Sequence, residues 1–270
     1  MDVTLTLRHG DCLEIMKSIP DKSVDLIICD LPYGCLTGEK GATPFGRNVK
    51  GPSNSGCAWD VKIPLEPFWK EIRRIRRSDH TPTIHFCTTK FGYELIKSNE
   101  AEFRYDLVWD KQRGVSFLSA NKMPMRSHEM IYVFSKAGAF YERKDITGEF
   151  KKWNHKIEKK INTQTYNGQV PFAPTNPEGG DGKRCALSVI QQHGSLKKGN
   201  HPTEKPIDLY RFLIDRYCPA GGTVLDPTAG SFNSVFTAYD MDRSAIGIEK
   251  DDTFYKKAEE RLEKLNSPKD

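Results

Sequence analysis

No apolar run in this 270-residue chain approaches the roughly 18 residues needed to cross a bilayer, so no membrane partner is expected. Its seven cysteines, Cys12, Cys29, Cys35, Cys57, Cys87, Cys185 and Cys218, are an odd number, and none are spaced C-x-x-C. That pattern fits scattered reduced thiols rather than a disulfide framework. Metal-ligand spacing is missing too. His128-Glu129 opens like H-E-x-x-H, but Tyr132 stands in the fifth position, so no metal is expected. Met1-Asp2-Val3-Thr4-Leu5-Thr6-Leu7-Arg8 has no signal-peptide anatomy. Nor is there a strong excess of one charge: 41 Lys+Arg against 36 Asp+Glu leave +5. A mildly basic balance permits a nucleic-acid partner without demonstrating one.

What is present is alternation. Ser23–Cys29 is an apolar run leading into Asp30-Leu31-Pro32-Tyr33, and reads as a buried strand before a functional loop. A helix is predicted over Pro67–Arg77, a strand at Thr83–Cys87, and a helix at Phe91–Asn99. Leu107–Trp109 and Met130–Phe134 read as further strands, and Thr203–Tyr217 as an amphipathic helix. Thr223–Leu225 is a short strand ending at Asp226, Phe232–Met241 a helix, Ala245–Ile248 a strand ending at Glu249, and Asp252–Leu265 a closing helix. Such alternation predicts an α/β fold with a mostly parallel sheet. Ligands of such sheets bind beyond the carboxyl ends of the strands, where Asp30, Asp226 and Glu249 fall.

The chain reads as one domain over 1–270 with two segments outside the alternation. Residues 34–60 hold six glycines and two prolines, and read as a flexible loop beside the active site. Residues 137–199 are polar and lysine-rich, and read as an insert with its own small structure.

Two motifs carry chemistry. Asp30-Leu31-Pro32-Tyr33-Gly34 sets a carboxylate, a carbonyl and an aromatic ring at a strand end. The Asp30 carboxylate and the Leu31 carbonyl are two acceptors for the two N–H bonds of an exocyclic amine. Tyr33 can stack on an extruded base, a contact worth roughly 1–3 kcal/mol. Read alone, the tetrapeptide is an ordinary strand end before a proline turn. In Val224-Leu225-Asp226-Pro227-Thr228-Ala229-Gly230-Ser231, small residues let backbone approach a ligand at a helix N-terminus. Glu249 ends the next strand, where an acid can bind ribose hydroxyls. Read alone, this segment fits a structural strand–helix turn equally well.

Together, the Asp30 motif, then His201-Pro202-Thr203-Glu204-Lys205-Pro206, then the Asp226 motif resemble the β class of S-adenosylmethionine-dependent amino-group DNA methyltransferases (adenine N6 and cytosine N4). The order is informative, because that class places the catalytic motif before the cofactor motif. His9-Gly10-Asp11-Cys12, Trp109-Asp110-Lys111 and Arg126-Ser127-His128-Glu129 extend the likeness over roughly residues 5–135 and 185–265. Leu31 replaces the usual Pro, so packing must hold that turn. Ser231-Phe232-Asn233 replaces the usual Ser-Gly-Thr, so Phe232 either narrows the pocket or turns into the core.

The resemblance implies a Rossmann-like seven-stranded methyltransferase sheet in circularly permuted order, with 137–199 as target-recognition insert. It implies S-adenosylmethionine as cofactor, held by Asp11, Cys12, Asp30, His201, Thr203, Lys205, Asp226, Pro227, Ala229, Gly230 and Glu249. Catalysis falls to Asp30, Leu31, Pro32 and Tyr33. The substrate is double-stranded DNA, from which the target base is flipped. Lys151, Lys152, Lys159 and Lys160, interleaved with Phe150 and Trp153, suit DNA contact. A cognate restriction endonuclease as partner, and monomer versus homodimer, stay open; a cytoplasmic protein of a prokaryotic or phage-infected cell is expected.

Adenine N6 is the expected target, because cytosine N4 enzymes more often begin the catalytic motif with Ser. A non-catalytic DNA-binding protein of the same fold is the alternative of a different class. Protein-glutamine and RNA methyltransferases carry a similar tetrapeptide after the cofactor motif. Carbon-5 cytosine methylation needs a Pro-Cys nucleophile, and no Cys here follows a Pro. The run Lys70–Arg77 reads as a solvated helix face rather than a phosphate track.

Overall fold

In the computed structural model, the residues described are 3–34, 61–115, 117, 120–147, 183–192 and 204–267. Apolar runs form the centre of the sheet. β2 (Leu26–Cys29) and β3 (Thr83–Cys87) are buried at every position, as strands covered on both faces must be. Alternate residues point to opposite layers. Leu26 and Ile28 pack with α4 (Ile207–Tyr217) and α5 (Asn233–Asp240), while Ile27 and Cys29 pack with α2 (Leu65–Ile75) and α3 (Thr89–Ser98).

With β1 (Leu5–His9), β4 (Phe103–Val115), β5 (Arg126–Phe134), β8 (Val189–Gln191), β9 (Thr223–Asp226) and β10 (Ser244–Glu249), the sheet has eight strands in the order β1-β10-β9-β2-β3-β5-β4-β8. Among the described strands, only β5 runs against its neighbours. The predicted mostly parallel sheet is present, with eight strands instead of seven. The sequence pattern showed neither edge strand: β1 alternates within a polar stretch, and the three residues of β8 are too few to show a period.

Two compact units are distinguished: Met1–Glu142 with Ser188–Asp270, and Arg143–Leu187. The second is narrower than the predicted 137–199 insert. Ala137 and Phe140 donate backbone bonds to Asp79 and His80, and Glu142 to Arg216, so 137–142 belongs with the sheet. Its described part is a ladder of β6 (Ile146–Thr147) against β7 (Lys183–Arg184).

Two local expectations are corrected. The helix predicted from Thr203 begins at Ile207, behind Pro206, which leaves Glu204 and Lys205 outside it. The run 70–77 is a solvated face only in part: Lys70, Arg73 and Arg77 are exposed, whereas Arg76 is buried. Arg73 and Arg76 bind Glu102, Arg74 binds Asp21 and Glu71, and Arg77 binds Asp25. These pairs tie α2 and the two residues after it to their neighbours. Among the described residues no helix is long and apolar enough to cross a membrane, and no cluster of metal-ligating side chains occurs.

Candidate active site

The chain turns outward in opposite directions from the β9–β2 boundary, which makes that boundary the topological switch point where open α/β sheets bind ligands. Register brings the carboxyl ends together: His9 pairs with Glu249, Gly247 with Asp226, Leu225 with Ile27 and Cys29 with His85. A cavity of about 650 Å³ opens there, within the usual range for small-molecule sites. Asp11, Cys12, Asp30, Leu31, Pro32, Tyr33, Lys205, Pro227, Ala229, Gly230 and Glu249 all line it. His201, Thr203, Lys151, Lys152, Lys159 and Lys160 lie outside the described residues.

One end of the cavity is built from backbone held by acids. Glu249 Oε2 accepts the Gly230 N–H at 2.8 Å and Oε1 the Asp251 N–H at 2.7 Å. Burial raises its carboxyl above the ordinary value against those donors. Asp11 caps α1 (Cys12–Met16) through the Leu13 N–H at 3.0 Å and pairs with Lys250 at 3.1 Å. Cys12 lies deep in this wall. Burial, with Asp11 beside it, pushes its thiol up to about 12, so it is no nucleophile.

Asp226 is absent from the cavity wall. It is buried beneath the turn, where Oδ1 accepts the Thr228 N–H at 3.0 Å and Oδ2 accepts the Ser234 hydroxyl. Burial pushes its carboxyl up to about 7 despite these donors. The geometry makes Asp226 a support for the 227–231 turn.

Phe232 turns into the core. It adopts φ +58° at the head of α5, a left-handed conformation costing a non-glycine residue roughly 1–2 kcal/mol. Its ring is fully buried and fills the space over Gly247, where an added Cβ would lie 2.6 Å from the ring. Burying a phenylalanine is worth roughly 1.5–3 kcal/mol, which offsets that strain. Leu31 is likewise buried, packed in the α2–α3 layer, and supplies the packing that its turn needs without proline.

The other end of the cavity carries a ladder of charges. Tyr33 donates its hydroxyl to Asp30 Oδ1 at 2.7 Å, with its ring against Phe91 at 5.1 Å. Lys205 Nζ lies 2.5 Å from Asp30 Oδ2 and 3.4 Å from Glu129 Oε2, and Glu129 also pairs with Lys111. Lys205 is 4% exposed. Burial alone would lower its pKa, but Asp30 and Glu129 outweigh that and raise it. Burial likewise opposes ionisation of Glu129, yet Lys205 and Lys111 hold its carboxyl below the ordinary value. Sequence reasoning grouped Lys205 with the cofactor residues and gave Glu129 no role. Their motifs were visible, but the link between chain positions so far apart was not.

Glu204 and Thr228, which the sequence motifs contain but to which no role was given, also line the wall. Glu204 Oε1 accepts from Asn233 Nδ2, while Glu204 Oε2 and Thr228 Oγ1 are buried with no hydrogen-bond partner among the described residues.

A family profile described as DNA methylase, of the N6/N4 type, matches residues 24–260. The type II methyltransferase M.HindIII of Haemophilus influenzae is 40% identical over 303 residues, spanning 95% of this chain and 94% of the relative. The solved PvuII DNA methyltransferase, described as cytosine-N4-specific, shares the fold with a TM-score of 0.64 at 14% identity, covering 98% of this chain and 89% of that one. M1.HpyAVI, solved as a complex with S-adenosylmethionine, does so with a TM-score of 0.55 at 17% identity, covering 95% and 98%. With the profile spanning most of the sequence and a close relative matched almost end to end, the chain belongs to the N6/N4 DNA methylase family.

Proposed function

We propose that this protein methylates adenine N6 in duplex DNA, by direct transfer from S-adenosylmethionine to a base flipped into the cavity. The observation that carries the reading is one continuous cavity with an amine-accepting carboxylate, Asp30, at one end and the Glu249-braced glycine turn at the other.

The wall fits the cofactor. Asp11 and Glu249, both in the cavity wall, are assigned to the adenosine amino and hydroxyl groups. The unpartnered Glu204 Oε2 and Thr228 Oγ1 are groups that an amino-acid moiety would satisfy. When bound, S-adenosylmethionine supplies an electrophilic methyl group. The protein's part is orientation and electrostatics. Asp30 and the Leu31 carbonyl accept the two amine N–H bonds, and Tyr33 fixes one oxygen of Asp30. Lys205 occupies the other oxygen until the amine arrives, and Glu129 is the second carboxylate to which the ammonium can shift. Asp30 then lies nearest to the proton that the methylated amine must release. The lysines Lys151, Lys152, Lys159 and Lys160 of the insert are assigned to phosphate contact. An aspartate at the head of the catalytic motif supports adenine over cytosine N4.

Modification-sensitive sequencing of DNA from cells expressing the protein tests this reading. N6-methyladenine at one sequence is expected; N4-methylcytosine would transfer the same mechanism to the other base. No tritium incorporation from labelled cofactor into any DNA would leave only a DNA-binding protein.

A further inference from the structure

The β4–β5 hairpin is longer than the sheet that holds it. Cys87, the last residue of β3, pairs with Met130, and Met130 with Val108; β8 accompanies β4 only as far as Asp110. From Lys111 to Val115 and back through Arg126, β4 has no strand beside it other than β5 among the described residues. β4 runs parallel to β3, so this overhang projects past the carboxyl ends of the parallel strands, on the side of the cavity. Its root is cavity wall, because Glu129 lines the cavity and pairs with Lys111.

The overhang has an unusual composition. Residues 111–128 contain Lys111, Arg113, Lys122, Arg126 and His128 but no Asp or Glu. Arg113 and Lys122 are exposed. Phe117 is 77% exposed, the most of any large apolar side chain among the described residues. An acid-free strip of cations suits a polyanion. An exposed aromatic in such a strip suits a wedge between base pairs. A flipped nucleotide leaves a gap in the stack beside the cavity that receives it.

We propose that this hairpin is a DNA-contacting finger separate from the insert. Arg113 and Lys122 meet backbone phosphates, and Phe117 enters the stack where the target nucleotide leaves it. The inference rests on the reading of the chain as a base-flipping DNA methyltransferase.

The test uses the full-length protein and duplexes of the methylated sequence carrying 2-aminopurine at the target position. In the parent, binding raises 2-aminopurine emission. Phe117→Ala should cut that rise at least about fivefold, the lower end of what a lost base–aromatic stack implies. Arg113→Ser with Lys122→Ser should flatten the slope of log affinity against log salt by about 1.8, from roughly 0.9 per phosphate. Cofactor affinity and thermal midpoint should stay parental in both, since neither variant touches the cavity wall. A parent that methylates DNA while both variants keep parental emission and slope overturns the finger alone. A parent that methylates no DNA and raises no emission overturns the underlying reading as well.

Discussion

Lys205 and Asp30, 175 residues apart in the chain, form a 2.5 Å ion pair that occupies one oxygen of the Asp30 carboxylate. Under the proposed function, the pair stands where the target amine donates. It also leaves Lys205 within 3.4 Å of Glu129, so the ammonium has two anionic partners and can serve either. Lys205→Met leaves Asp30 and Glu129 facing each other without the intervening cation. Removing one partner of a buried pair costs about 3–5 kcal/mol, so the thermal midpoint should fall. Single-turnover methyl transfer should drop at least about tenfold, a loss of about 1.4 kcal/mol or more in transition-state stabilisation. Calorimetric S-adenosylmethionine affinity should change far less. A defect found wholly in cofactor affinity would return Lys205 to the cofactor-binding set.

Asp30→Ala should abolish methyl transfer while cofactor binding stays nearly parental. Tyr33 loses its acceptor, Lys205 one of its two anionic partners, and the target amine its own acceptor. Near-normal turnover would remove Asp30 from the mechanism.

Glu249→Ala should weaken cofactor binding by about tenfold or more, since a hydrogen bond to a charged group contributes about 1.5–3 kcal/mol. The same carboxylate braces the Gly230 and Asp251 N–H groups, so Glu249→Gln, which keeps one acceptor, should lose less. Calorimetry on the two variants checks the ranking, and unchanged affinity in both would refute the ribose role.

Gly247→Ala should destabilise the protein by about 1–3 kcal/mol through overpacking, because the new methyl meets Phe232 and Val235 within 2.7 Å. Phe232→Gly relieves the positive φ but empties the space. Combined, the two changes should be less harmful than their sum, with a coupling above about 0.5 kcal/mol in urea unfolding. Additive effects would mean that the ring and the glycine do not share that space.

His85 sits fully buried on β3 among Phe68, Trp69 and Phe134, and neither ring nitrogen has a hydrogen-bond partner among the described residues. Burial pushes its pKa down to about 3 from 6.5. The unfolded chain therefore binds the proton more readily, and this stability is full above pH 6.5 and drains away as pH falls toward 3. His85→Phe should remove that drain. The stability difference between parent and variant should change by about 1.4 kcal/mol per pH unit between pH 6 and 4. A difference independent of pH would mean that His85 is protonated in the fold.

Local chemistry was legible in the sequence wherever neighbours in the chain are neighbours in space. The buried runs at 26–29 and 83–87, the acids ending β9 and β10, and the Asp30 and Asp226 motifs in their order are one-dimensional patterns, and they predicted the α/β sheet and part of the cavity wall. Asp11, Gly230 and Glu249 reached that wall because strand ends line up once the strands pair. What the sequence could not hold is distance between remote positions. That Lys205 reaches Asp30, that Asp226 braces a turn from beneath, and that Phe232 fills the space left by Gly247 each depend on how separate strands and helices stack. A side chain's partner is set by packing in three dimensions, and no spacing along the chain encodes it.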